Sequence, residues 1–249
     1  MLKVYFIGAG PGDPELLTIK AVKIIKRAGI LIYAGSLVNK SILSLAKKSA
    51  RIYDSSHMNL DEVIAIFEKE RPGSKIIARI HSGEPSIYGA IQEQMDWCQE
   101  KKITFEVIPG ISSFQAAAAA LKQELTLPGV SQTVILTRLS GRTMVPQGED
   151  LARLAKIRAT MIIFLSILEI EQVVRKLKRG YGPDTPVAVL EKVSFPVGRI
   201  IKGTLNDISE KVKNSGIKRQ ALIVVGDVLR KEYQKSKLYD KNFSHSFRK

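Results

Sequence analysis

Short apolar runs that end at glycine alternate along the chain with longer stretches of helical period. Val4 to Ile7 is an apolar run of strand length stopping at Gly8, the pattern of a strand covered on both faces. The spacing predicts a helix from Asp13 to about Ala28, with Leu16, Leu17, Ala21, Ile24, Ile25 and Ala28 on one side. Asp13 suits its N-cap, Pro14 its first position and Glu15 its positive end. Ile30 to Tyr33 reads as a second strand, Asn39 to Ala46 as a short helix and Arg51 to Tyr53 as a third strand. Asn59 and Glu62 have capping-box spacing for a helix to about Lys69, and Arg71-Pro72-Gly73 turns the chain into a strand over Lys75 to Ile80. A helix over Ile87 to Lys101, a strand ending at Ile108 and an alanine-rich helix to Leu121 follow.

Leu125 to Gly129 reads as a connection, so we expect one α/β domain over 1–124 and a second over 125–249. The second half begins with a strand at Thr133 to Thr137 and an irregular stretch, Arg138 to Pro146. Helix (about Asp150 to Lys156), strand (Thr160 to Leu165), helix (Glu169 to Arg179) and strand (Pro186 to Lys192) come next. Gly198 to Thr204 follows that strand after a short link, which predicts a hairpin and some antiparallel pairing. A helix (Asp207 to Ser215) and a strand (Ala221 to Gly226) precede a basic tail.

Three of these strand ends empty into loops rich in small residues. They are Gly8-Ala9-Gly10-Pro11-Gly12-Asp13, Ser82-Gly83-Glu84-Pro85-Ser86-Ile87-Tyr88-Gly89-Ala90 and Pro109-Gly110-Ile111-Ser112-Ser113. In a parallel sheet such loops lie side by side at the carboxyl edge and make a ligand cradle. The first has the spacing G-x-G-x-G-D-P rather than G-x-G-x-x-G, and a proline beside an aspartate makes a poor phosphate nest. The second strand ends in Ala34-Gly35-Ser36 where a dinucleotide site would want an acid for the ribose. A neutral or cationic ligand fits these loops better than a nicotinamide cofactor.

Composition adds a partner class. The 249 residues carry a formal charge of +15, which calls for an anionic partner: nucleic acid, an anionic surface or a carboxylate-rich substrate. Runs such as Lys20-Lys23-Lys26-Arg27 have the spacing of a solvated helix face, and 6% aromatic residues offer no base-stacking platform. No apolar run reaches membrane-spanning length and no signal-peptide pattern opens the chain. Cys98 is the single cysteine, so no disulfide can form within the chain and a reducing cytoplasm is expected.

The constellations of side-chain catalysis are missing. His57, His81 and His245 share no metal-ligand spacing, and G-x-S-x-G, H-E-x-x-H and G-x-x-x-x-G-K-[ST] do not occur. Group transfer from an activated donor fits, because aligning two reactants supplies much of the acceleration. S-adenosyl-L-methionine is such a donor, and its cationic sulfonium suits a site of carbonyls and an occasional carboxylate. A non-catalytic basic binding module is the alternative that composition leaves open.

Gly8 to Leu16, the Ser82 to Ala90 loop and Pro109 to Ser113 resemble the tetrapyrrole (corrin/porphyrin) methylases. Gln132 to Arg138, Gly141-Arg142-Thr143 and Ser236 to Lys241, with Phe243, His245, Phe247 and Arg248 beyond, resemble more narrowly the branch that methylates ring carbon 11 of precorrin-4. The resemblance spans essentially the whole chain, and the alternative it leaves is a methylase of the same fold acting at another ring position or on ribosomal RNA. It implies two α/β domains with the cofactor cleft between them, a homodimer, and a role in cobalamin (corrin ring) biosynthesis, with no nucleic acid or membrane partner. It implies S-adenosyl-L-methionine held by Pro11, the backbone of Ser82, Gly83 and Glu84, Ile87, Ser112 and Ser113, with Leu165 and Ala188 as further contacts. It also implies a tetrapyrrole whose acetate and propionate arms meet Arg138, Arg142 and Arg248, with Tyr88 facing the substrate. No protein-bound metal is implied and no catalytic base is assigned. One departure stands out: relatives commonly carry Gly-Asp in the second loop, where this chain has Gly83-Glu84.

Overall fold

The computed structural model describes every residue except Ser74, Lys231, Lys241, Asn242, His245 and Lys249. Lys241 and His245 of the tail pattern therefore lie outside the described residues. The chain divides into two compact units, Met1–Ala116 with Lys192–Val197, and Ala117–Glu191 with Gly198–Lys249. The division falls within the alanine-rich helix, before Glu124, and assigns the link between the hairpin strands to the first unit.

The first unit is built on five strands: β1 (Lys3–Gly8), β2 (Ile30–Tyr33), β3 (Arg51–Asp54), β4 (Ile76–His81) and β5 (Thr104–Ile108). Their order is β3-β2-β4-β1-β5 and every pairing is parallel. Alternation along the strands sends Val4, Phe6, Ile30, Ile32 and Ile77 to one buried cluster, with Val63 and Phe67 packed there. Ile7, Leu31, Ala78, Ile80 and Ile108 go to the other, against Ala21, Ile24 and Ile25. Burial on both faces is why the strands read as unbroken apolar runs. β1 pairs with both β4 and β5, Gly8 opposite His81 and Ile7 opposite Ile108. That register brings the carboxyl ends of three strands together.

Helix boundaries differ from the expectation where the backbone leaves helical space. Asp13 caps only a 3-10 turn, Pro14–Leu16, its Oδ1 accepting from Glu15 N at 2.9 Å. Leu17 and Thr18 are then extended, and Thr18 Oγ1 caps α1 (Ile19–Arg27) by accepting from Ala21 N at 3.2 Å. The Asn59–Glu62 capping box forms in both directions at the head of α2 (Leu60–Glu70). α3 (Gln92–Glu100) starts later than Ile87, because Tyr88 and Ala90 take positive φ, 55° and 49°, and a side chain in that region ends a right-handed helix. α4 covers Ser113–Leu121.

The second unit holds β6 (Val134–Arg138), β7 (Thr160–Phe164), β8 (Pro186–Glu191), β9 (Arg199–Thr204) and β10 (Ala221–Val225), ordered β6-β7-β10-β8-β9. β6 and β7 are parallel, the other pairs antiparallel, and β8 with β9 forms the expected hairpin. α5 (Leu151–Leu154), α6 (Ile170–Leu177) and α7 (Ile208–Ser215) follow in the chain. Residues of all three helices join Met161, Ile163, Val187, Val189 and Ile223 in one core on one sheet face. The tail is tied to this unit by Gln234 N, which donates to Pro128 O at 3.1 Å. No helix among the described residues is long and apolar enough to cross a membrane.

Candidate active site

The three small-residue loops meet at the carboxyl ends of β4, β1 and β5. Gly10 and Gly83 form an isolated antiparallel bridge, Gly83 N donating to Gly10 O at 2.8 Å and Gly10 N to Gly83 O at 3.3 Å. Ala9 N donates to His81 O at 2.8 Å. A Cβ on Gly110 would stand 2.2 Å from Gly83 O and 2.7 Å from Gly8 Cα, and one on Gly8 would stand 2.5 Å from Gly110 Cα. The glycines therefore let backbone pack on backbone, one from each loop.

Glu84 fastens the assembly. Its Oε1 accepts from Ser86 N at 2.9 Å and Ser86 Oγ at 2.6 Å, and its Oε2 accepts from Gly110 N at 2.8 Å. The carboxylate thus spends both oxygens on protein donors, and what it offers a ligand is its backbone. Ser112 is buried at the head of α4, its N–H donating to Gln115 Oε1 at 2.8 Å. Pro11 is buried, whereas Ser82, Ile87 and Ser113 are half-buried at the loop surfaces. Tyr88 is 45% exposed on its left-handed backbone.

Parts of the support were not singled out from the sequence. Asn39 Nδ2 donates to Gly12 O at 2.8 Å, and Asp13 N donates to Ser194 Oγ at 3.0 Å. A Cβ on Gly12 would meet the Phe195 ring at 2.2 Å, so the first loop is wedged by a segment distant in sequence. Beneath the second loop, buried Arg79 donates from Nε to Gln94 Oε1 at 3.0 Å and from Nη1 to Ser55 Oγ at 3.0 Å. Gln94 Nε2 in turn holds Ala90 O at 2.9 Å. Burial lowers the Arg79 pKa to about 10, which still leaves it charged at neutral pH. His81 is pushed down to about 3, by burial first and then by the Arg79 charge, against a hydrogen bond to Gly89 that works the other way. Its Nε2 has no hydrogen-bond partner among the described residues. The one sequence signal for this group was an arginine inside the apolar run Ile76-Ile77-Ala78-Arg79-Ile80.

The remaining predicted residues lie in the second unit. Leu165 follows β7 in left-handed backbone (φ 54°) and is 72% exposed. Ala188 is buried in β8 opposite Val224 and Lys202. Arg138 ends β6 and donates to the carbonyls of Leu139, Thr143 and Met144 at 3.3, 2.9 and 3.2 Å, folding the following loop around its guanidinium. Arg248 does the same for the tail, donating to the carbonyls of Asp240 and Phe243. Arg142 is exposed, with no hydrogen bond or ion pair of its side chain among the described residues.

Tetrapyrrole (Corrin/Porphyrin) Methylases is the family whose model matches, over residues 3–209. The chain belongs to the tetrapyrrole methylases. This methylase is 55% identical over 249 residues to the cobalt-precorrin-4 C(11)-methyltransferase of Methanocaldococcus jannaschii, with 99% of this chain and 96% of the relative covered. Among solved structures it matches a cobalt precorrin-4 methyltransferase of cobalamin biosynthesis with a TM-score of 0.88 and 39% identity, covering 91% of this chain and 95% of that one. It also matches the Thermus thermophilus uroporphyrin-III C-methyltransferase complexed with S-adenosylhomocysteine, with a TM-score of 0.74 and 26% identity over 92% and 93% of the two chains. For this methylase the chemistry of the loops agrees with such a ligand. In a chain of charge +15, the three loops contain no lysine or arginine and two carboxylates, so no side-chain cation of these loops is there to pair with a phosphate.

Proposed function

We propose that the protein transfers a methyl group from S-adenosyl-L-methionine to ring carbon 11 of precorrin-4 or its cobalt form, in corrin ring biosynthesis. The observation that carries this is identity of 55% along almost the full length of a cobalt-precorrin-4 C(11)-methyltransferase. The donor supplies a methyl carbon already activated by its sulfonium. The chain's residues supply a rigid holder: Pro11, the backbone of Ser82, Gly83 and Glu84, Ile87, Ser112 and Ser113 form the binding set, pre-assembled by the Gly10–Gly83 bridge and the Glu84–Gly110 bond. Such pre-organisation spares the cost of ordering loops when the donor binds.

Arg142, exposed and unpaired among the described residues, is the cation in the proposed substrate set best placed to take a carboxylate. Arg138 and Arg248 shape their own loops, and Tyr88 stands exposed beside the second loop. The reading carries with it a homodimer working in the cytoplasm on a small molecule, without nucleic acid. A lone buried cysteine supports the compartment, and light scattering of the purified protein tests the dimer.

The deciding experiment supplies methyl-labelled donor with precorrin-4 and with cobalt-precorrin-4 and locates the label by NMR. One labelled methyl on carbon 11 is expected. Label on another ring carbon, or no transfer to either ring, overturns the assignment.

A further inference from the structure

The second unit contains a cavity of about 750 Å3 whose wall includes five cationic side chains, Arg138, Arg153, Lys156, Lys176 and Arg179, and one carboxylate, Asp150. Every one of these residues belongs to that unit. Local geometry explains the convergence. Arg153 and Lys156 are three residues apart on the turns over Leu151–Ile157, and Lys176 and Arg179 are three apart at the end of α6, a spacing that puts both members of each pair on one side. α5 packs on α6, and Lys176 Nζ donates to Asp150 across the contact.

That ion pair engages the one acid among the described wall residues, and the Arg179 charge also helps hold the Asp150 carboxyl below its ordinary range. Asp150 Oδ1 also accepts from Ala152 N at 2.9 Å. Arg138 spends its donors on neutral carbonyls, so its charge persists. Arg153, Lys156 and Arg179 have no side-chain hydrogen bond or ion pair among the described residues. Some cations elsewhere share an acid, as Lys3 and Lys20 share Glu106 and Arg51 and Lys75 share Glu70; what sets this group apart is that its cations line one cavity. Five cations set against one acid around a concavity focus a net positive potential into it. The volume is that of a small-molecule site.

We propose that this cavity binds a ligand bearing several clustered carboxylates, with Arg153, Lys156 and Arg179 as its principal contacts and Arg138 organising the loop at its edge. Two arginine forks favour carboxylates, which they pair with through parallel hydrogen bonds. Such a ligand has two sources, the acidic side arms of the tetrapyrrole or a separate free polycarboxylate. Only the first rests on the methyl-transfer reading.

The test is calorimetry at fixed ionic strength with citrate, with uroporphyrin as a carboxylate-bearing macrocycle, and with S-adenosylhomocysteine. The intact protein is compared with Arg153→Gln/Arg179→Gln and Arg153→Lys/Arg179→Lys. Arg153 and Arg179 are both exposed, so the variants keep the fold, which a thermal melt checks. Saturable binding of citrate or uroporphyrin to the intact protein is expected, weakened about tenfold or more in the glutamine variant and less in the lysine variant. Uroporphyrin alone identifies the side arms as the source, and citrate binding identifies a free acid. Binding of neither, or equal binding by the glutamine variant, overturns the proposal. Failure of the intact protein to bind S-adenosylhomocysteine would count against methyl transfer and not against this site.

Discussion

Glu84 Oε2 accepts a hydrogen bond from Gly110 N at 2.8 Å, joining the loop after β4 to the loop after β5. Its other oxygen holds Ser86, so one side chain fixes a turn and the neighbouring loop together. Glu84→Gln presents an amide N–H to one of these donors and removes the charge that strengthens both bonds. We expect S-adenosylhomocysteine affinity to fall about tenfold, the equivalent of one charged hydrogen bond. Calorimetry giving unchanged affinity would remove Glu84 from the positioning role.

Gly110→Ala places a methyl group 2.2 Å from Gly83 O and 2.7 Å from Gly8 Cα. Both obstacles are backbone, so neither can rotate away, and the loops must separate. A loss of roughly 2 kcal/mol or more is expected, together with weakened S-adenosylhomocysteine binding. Gly182→Ala, which meets nothing within 4 Å, should stay within about 0.5 kcal/mol of the parent. Equal denaturation midpoints for the two variants would contradict the three-glycine contact.

Arg79→Met leaves buried Gln94 Oε1 and half-buried Ser55 Oγ without their donor. Gln94→Leu orphans Arg79 Nε and Ala90 O at the same stroke. Each variant should lose about 2 kcal/mol, the cost of leaving buried polar groups unpaired. Amide exchange over Ile87–Ile91 should quicken in both. A melting temperature within about one degree of the parent would show that the network carries no stability.

The depressed His81 pKa sets a pH dependence. The folded state keeps the imidazole neutral down to about pH 3, while the unfolded chain takes up a proton near the ordinary value of about 6.5. Between those limits the unfolded state binds more protons, so stability falls as pH is lowered, by at most about 1.4 kcal/mol per unit. Above that window His81 contributes no slope. Asp54, held down to about 2 chiefly by its hydrogen bonds from Ser56, adds a loss in the same direction only once the pH nears the ordinary carboxyl range. Denaturant titrations at pH 7, 6 and 5 should show a shallower decline for His81→Asn than for the parent. Parallel slopes would mean that His81 is protonated in the fold.

The order of strands and helices, the parallel character of the first sheet and the β8–β9 hairpin were legible in the chain. Each depends on local periodicity and on residues adjacent in sequence. The three small-residue loops were legible too, because a run such as Gly8-Ala9-Gly10-Pro11-Gly12-Asp13 has few conformations open to it. What each glycine does was settled by tertiary structure. Gly8 ends β1, and Gly83 and Gly110 lie just beyond β4 and β5, strands whose adjacency comes from β1 pairing with both; the contacts among the three glycines are set by that pairing and not by any local pattern. The Ser194 and Phe195 wedge behind the first loop, the Arg79–Gln94–Ala90 chain under the second, and the unpaired cations beside Lys176 and Asp150 likewise join residues far apart in sequence. Hydrophobic period reports which face of an element is buried. The partner of a buried charge or the neighbour of a glycine is fixed only when the sheets assemble and the loops are brought into contact.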